Sequence, residues 1–177
     1  LSTKENQTRS MATNFSTREE TTGEKIIEGY FAVFNQETEL WSGAFEEISP
    51  EAFDGSLSND IRALTNHETT LVLGRNKSGT LKLSVDSRGL YERVKRGDVD
   101  QCSFGFNILN EETDWREDGT VKWLLKEIDL HEVSVVTFPA YEDTGVQARH
   151  NQLEQYREKQ TQQWRKNLLD QLKNRGK

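Results

Sequence analysis

Three side chains have the types that nucleophilic catalysis uses: His67 in "LTNHET", Ser103 in "QCSFGF" and Glu132 in "LHEVSVV". A glutamate that orients a histidine, and a histidine that deprotonates a serine, form the working triad of serine hydrolases, here in chain order His–Ser–Glu. Taken singly the residues say little. A lone histidine after an apolar run is more often a hydrogen-bonded structural residue than a catalyst, and most serines do no chemistry. The sequence lacks a G-x-S-x-G elbow, which argues against an α/β-hydrolase. Glu132 is more informative. In a strand of period 2, Leu130, Glu132, Ser134 and Val136 face one way, while His131, Val133, Val135 and Thr137 face the other. Glu132 is then a carboxylate on an otherwise apolar strand, and burying it without a partner is costly. A histidine Nδ1–H would satisfy it. An exposed edge-strand glutamate, or one paired with a lysine, is the ordinary alternative, and residue types alone do not separate these readings.

Other chemistries fare worse. One cysteine and three histidines with no close spacing do not make a zinc site. Asp98 and Asp100 beside Gly97 lack the spacing of an EF-hand, and no glycine-rich phosphate loop is present. No metal and no cofactor are expected. Charge is unevenly spread: residues 151–177 hold seven Lys/Arg against three acids, and the other 150 residues hold 16 basic against 27 acidic side chains. An acidic body repels nucleic-acid phosphates, so the body is not expected to bind nucleic acid. The basic tail reads as a solvated or partner-binding helix. The single Cys102 excludes an internal disulfide framework and fits a reducing compartment. No apolar run of about 20 residues suggests a membrane span, and "LSTKENQTRS" lacks the apolar segment of a signal peptide.

The elements that must position these residues read mostly as short strands. Residues 1–24 are polar and without periodicity, so disorder is expected there. "KIIEGYFAVFN" (25–35) is strand-like. The chain then turns at Gly43 and Pro50, with Ser49 as N-cap. "IRALTNHE" (61–68) is a strand, followed by short strands broken at Gly74, Gly79 and Gly89. "YERVKRGD" reads as a helix end stopped by Gly97. Residues 102–136 read as a hairpin with "REDG" at its tip, continued by a strand through Val136. Leu153, Tyr156, Trp164, Leu168 and Leu172 recur at helical spacing in one long amphipathic, basic helix. The fold class expected is mainly β with flanking helices: a closed or nearly closed barrel, which removes exposed edges, surrounded by helices.

Four stretches, "GYFAVFN", "ALTNHETTLVLGRNKSGTLKL", "VKRGDVDQCSFGFNI" and "LHEVSVVTFPAYEDTGV", together resemble the tailed-phage prohead (procapsid) maturation proteases, relatives of the herpesvirus assemblins. They run from about Gly29 to Val146, and their order is the specific signal: N-H, then S-F-G-F, then E-V-S-V-V-T-x-P-A-Y. The resemblance implies a serine endopeptidase on an assemblin-like barrel, with His67 as general base and Ser103 as nucleophile. The herpesvirus relatives use a second histidine as third member. Glu132 stands at the matching position here, with His131 as the alternative. Their arginine pair has no counterpart, since Ala140 and Tyr141 occupy its place. Backbone N–H groups or Arg75 are the remaining oxyanion candidates.

One departure from the family lies at "RGL" (88–90), which runs straight into "YERVKRGDV". Judged against the family, about a strand and half a helix are missing there. Either the chain is shortened or a segment has been left out, and the second is favoured because losing a barrel strand exposes sheet edges. The implied organisation is an N-terminal segment (1–24), a protease domain (25–148) and a C-terminal helix (149–177). The implied partners are the phage major capsid protein and scaffold protein, with a homo-oligomer also open. The implied place of action is the assembling procapsid in the host cytoplasm. The rival reading is a non-catalytic scaffold or assembly chaperone that binds capsid protein through the C-terminal helix.

Overall fold

The computed structural model describes residues 4, 6–12, 16–19, 21, 25–94, 101–136 and 144–175. Along them run β1 (Gln7–Ala12), β2 (Ser16–Glu19), β3 (Lys25–Val33), β4 (Thr38–Trp41), β5 (Ala44–Ile48), β6 (Arg62–Thr65), β7 (Glu68–Arg75), β8 (Leu81–Val85), β9 (Gly89–Val94), β10 (Gln101–Trp115), β11 (Val121–Val136) and α1 (Thr144–Arg175). Short 3-10 turns lie at Pro50–Phe53 and Asn76–Ser78.

The frame is the long antiparallel pair β10–β11. Its tip is the "REDG" turn, where Gly119 takes φ +82° and donates its N–H to the Arg116 carbonyl at 3.0 Å. β1 lies along the outer edge of β10. The other edge of β11 takes two parallel strands end to end: β5 against Val121–Leu125 and β6 against Glu132–Val135. β4 extends the sheet beyond β5, and β7 folds back on β6. A second sheet, in the order β2-β3-β9-β8, is antiparallel throughout. The main core joins the two sheets: Phe31, Ala32, Leu81 and Leu90 from one cluster with Phe104, Phe106, Val133 and Val135 from the other, around Ala52, Phe53 and Ile61. Phe104 and Phe106 stack at 5.0 Å between centroids, and Phe53 tilts against Phe104 at 6.1 Å.

The fold is therefore mainly β with a C-terminal helix. Among the described residues one sheet ends at β1, β4 and β7 and the other at β2 and β8, so the pairings do not include a barrel closure, and α1 is the one α-helix. Within residues 1–24, where disorder was expected, Gln7–Ala12 and Ser16–Glu19 are paired strands. A polar edge strand draws its stability from the ladder and from its ion pairs, which leave no apolar period to read. "YERV" is also not helical: Tyr91–Val94 complete β9, where two neighbouring strands offer ladders to a segment too short to nucleate a helix. Residues 95–98 lie outside the described residues. β9 crosses the Leu90–Tyr91 junction unbroken, Leu90 pairing with Ala32 and Val85 and Tyr91 with Tyr30 and Ser84. Gly74 lies inside β7 and does not break it, with no room for a Cβ beside the Thr80 carbonyl.

A buried charge network fastens both ends of the chain to this frame. Arg9 on β1 forms a bidentate pair with Glu46 on β5, at 2.6 and 2.8 Å. Arg149 on α1 reaches the same carboxylate at 3.2 Å and Glu111 on β10 at 2.9 Å, with its guanidinium 4.5 Å over the Trp123 ring. Burial alone would raise the Glu46 pKa, but the two guanidinium groups outweigh it and hold the carboxyl below its ordinary value. One turn on, Leu153 packs with Ala44, Val121 and Trp123, and Tyr156 stacks on Trp115 at 3.8 Å. The expected apolar stripe of the helix thus splits. Leu153 and Tyr156 dock on the sheet, while Trp164 stays 62% exposed and Leu168 40% exposed.

Because its folded-state pKa is lowered, Glu46 contributes stability that is present above the ordinary carboxylate range and lost as pH falls through the folded-state value. Glu46→Gln leaves two buried guanidinium groups without their shared counter-charge, so it should destabilise the protein by about 3–5 kcal/mol and flatten this acid dependence. Urea denaturation of both proteins between neutral and acid pH checks it; a loss well under about 1 kcal/mol would show that the pair is not a structural fastening.

Candidate active site

β6 ends at Thr65 and β7 begins at Glu68, and these two residues pair. Asn66 and His67 are therefore a two-residue hairpin turn, with φ +50° and +60°. Positive φ at both positions is the mark of the type I′ turn, which matches strand twist. Asparagine is at home there. Histidine tolerates positive φ better than most side chains, but still at a cost that its surroundings must meet. They do so from β11: the Asn66 N–H donates to the Val135 carbonyl at 2.9 Å, and the His67 N–H donates to Ser134 Oγ at 3.3 Å.

The carboxylate that meets the imidazole comes from the same strand. Gly105 pairs with Glu132 while its neighbour Phe106 pairs with Leu130, which leaves His131 as an extra residue, a β-bulge. The strict alternation read from the sequence is interrupted there. Leu130 joins the core with Val133 and Val135, while Glu132 lies on the opposite face. Glu132 Oε1 lies 2.6 Å from His67 Nδ1, and Ser134 Oγ donates to Glu132 Oε2. The carboxylate extends over Gly105, where an added Cβ would stand 2.5 Å from Oε1. Glycine is needed there for space.

Ser103 is on β10 directly opposite Ser134, two residues from Gly105 and on the same face of the pair. It is fully buried, and its Oγ has no hydrogen-bond partner among the described residues. The structure thus joins His67 to Glu132 and brings Ser103 to their face, without a hydrogen bond from Ser103 to the imidazole. His131 is the exposed bulge residue, its Nδ1 3.9 Å from Asp129. Arg75 does not reach the site. Its guanidinium is held by Asp60 at 2.6 and 2.5 Å, and these hydrogen bonds lower the Asp60 pKa. Arg75 pairs with Arg62, three residues along β6 from the turn, about 10 Å at strand rise. Two members of the site escaped the sequence reading: Ser134, whose signal was its place two residues after Glu132, and Gly105 in S-F-G-F.

A mainly β chain with a carboxylate-bound histidine and a buried serine on one sheet face has the constituents of a serine hydrolase site. A family model described as caudovirus prohead serine protease matches residues 13–159, and the chain belongs to that family. It is 31% identical over 144 residues to the prohead protease of Enterobacteria phage HK97, an alignment covering 70% of this chain and 59% of that protein. The chain therefore spans less than two thirds of that relative's length. No solved structure matches.

Gly105→Ala tests the space argument. The obstructing atom is the end of a flexible side chain, so the variant should fold with little loss of thermal stability. In its crystal structure His67 Nδ1 and Glu132 Oε1 should part beyond about 3.5 Å; an unchanged pair would remove the steric role given to Gly105.

Proposed function

We propose that the chain is a serine endopeptidase of phage capsid maturation, with Ser103 as nucleophile, His67 as general base and Glu132 as the orienting carboxylate. The observation that carries this reading is the 2.6 Å contact between His67 Nδ1 and Glu132 Oε1, on the sheet face that also holds Ser103. With Nδ1–H donated to the carboxylate, Nε2 is the acceptor, the tautomer a general base requires. Ser103 Oγ attacks the scissile carbonyl as Nε2 takes its proton. The imidazolium, stabilised by Glu132, returns that proton to the leaving amine, and water then cleaves the acyl-enzyme by the same relay. Hydrogen bonds between nucleophile and base are often loose before substrate arrives, which accommodates the unpartnered Oγ. Backbone N–H groups are the better oxyanion donors, because Arg75 is occupied by Asp60.

The substrates in this reading are scaffold and capsid-protein extensions, and the protease itself, inside the procapsid in the host cytoplasm. Membership of the prohead protease family supports it. A closed, assemblin-like arrangement of the two sheets belongs to the same reading and rests on the resemblance alone. The exposed helix beyond Arg157, with Trp164, Leu168 and Leu169 among basic residues, supports a recruitment role toward capsid or scaffold protein. The rival scaffold reading uses this helix too, but it has no need of the His67–Glu132 pair.

Ser103→Ala should abolish cleavage of a capsid-protein peptide without lowering the melting temperature, and retained cleavage would remove Ser103 from the role. Glu132→Gln should lower kcat by roughly 10⁴, by analogy with the Asp→Asn change in a serine protease. His131→Ala should stay near wild type, and the reverse ranking would transfer the third role to His131. A protein ending at Arg157 should cleave the peptide normally but fail to enter procapsids on co-expression. Normal entry would end the recruitment role of the helix.

A further inference from the structure

Ser134 is fully buried and stands at the centre of the site without belonging to the triad. Its Oγ donates to Glu132 Oε2, the carboxylate oxygen that His67 does not use. The same Oγ accepts the His67 backbone N–H at 3.3 Å. One hydroxyl thus touches both the orienting carboxylate and the backbone of the base. Its Cα partner across the pair is Ser103. On its other side it pairs with Leu64 on β6, the strand that leads into the His67 turn.

Each contact removes a different freedom. A glutamate has three side-chain torsions, and a single bond from one oxygen to an imidazole leaves the carboxylate plane free to swing. A second bond to the other oxygen fixes that plane. The His67 backbone has the opposite problem, since it sits at φ +60° and would relax if the turn came away from β11. The bond to Ser134 and the neighbouring bond from the Asn66 N–H to Val135 oppose this.

We infer that Ser134 is a positioning residue of the active site, which fixes the His67–Glu132 pair by holding the carboxylate and the turn with one hydroxyl. This rests on the triad reading above. Ser134 does not contact the reacting atoms, so its loss acts through the geometry of the base. Supporting groups of this kind are worth about 10- to 100-fold where they have been measured in metal sites, and small misplacements in active sites lose about as much.

The test compares Ser134→Ala with Ser134→Thr, which keeps the hydroxyl, alongside Ser103→Ala. Two readouts are taken: peptide cleavage, and the downfield proton resonance of His67 Nδ1–H bonded to Glu132. Ser134→Ala should lower kcat by about 10- to 100-fold with KM within about twofold, and should broaden or lose the resonance. Ser134→Thr should restore both. Wild-type kcat and an intact resonance in Ser134→Ala overturn the inference, as does a threonine variant no better than alanine. The resonance is read on folded protein whatever the activity. If Ser103→Ala still cleaves, the triad reading fails while the resonance still reports on Ser134. If alanine at 134 proves too unstable to measure, Ser134→Cys, close in size but a weak donor, takes its place and must show the same loss.

Discussion

A strand that serves the core with one face and a polar site with the other must break its alternation where the two demands collide. In β11 the break is the extra residue His131. Before it, Leu130 packs with Phe106; after it, Val133 packs with Phe104, and Glu132 is turned to the face shared with Ser103 and Ser134. Without the bulge, Glu132 would follow the parity of Leu130 into a core of Phe104, Phe106 and Ile128, where a carboxylate has no donor. The same strand receives β6 in parallel along Glu132–Val135, which delivers the His67 turn beside the carboxylate. The imidazole and the carboxylate are therefore carried by directly paired parts of one sheet, the β6–β7 turn and β11.

How much of this was legible depended on whether the signal was local. The need of Glu132 for a donor could be read from one carboxylate in an apolar strand, and the imidazole at 2.6 Å meets that need. The strand at 25–33, the hairpin tip and the long C-terminal helix were also written in periodicity and turn residues. The bulge was not, because two-residue alternation offers no cue to an inserted residue; it shows only when Gly105 and Phe106 are set against Glu132 and Leu130. Nor was β1 visible, since its hold on the molecule is the Arg9–Glu46 pair, formed by residues 37 positions apart. Ser103 was legible only through the family resemblance, because a serine in a strand carries no mark of its use.

The Arg9–Glu46–Arg149 cluster also explains why the helix stripe divides where it does. A guanidinium is desolvated at some expense, and that is tolerable only with two carboxylates and an aromatic face to receive it. Arg149 has all three, so the first turns of α1 are committed to the sheet, and Leu153 and Tyr156 follow it down. Beyond Arg157 the helix is exposed as far as Leu169, and the same apolar spacing continues into solvent at Trp164 and Leu168. Helical periodicity in the sequence records which side chains share a face. It does not record how far along the helix that face is covered.

Strain and satisfaction are divided unevenly among the three candidate residues. His67 is held in an unfavourable turn, yet both its backbone N–H and its Nδ1 are bonded to groups of β11. Glu132 has both oxygens occupied, one by the imidazole and one by Ser134. Ser103 alone is fully buried with its hydroxyl unbonded among the described residues. A buried hydroxyl in that condition carries a penalty of about 1–3 kcal/mol, which any acceptor brought within reach relieves. Among the described residues, Ser103 Oγ is thus the unsatisfied hydroxyl on the sheet face that carries the His67–Glu132 pair.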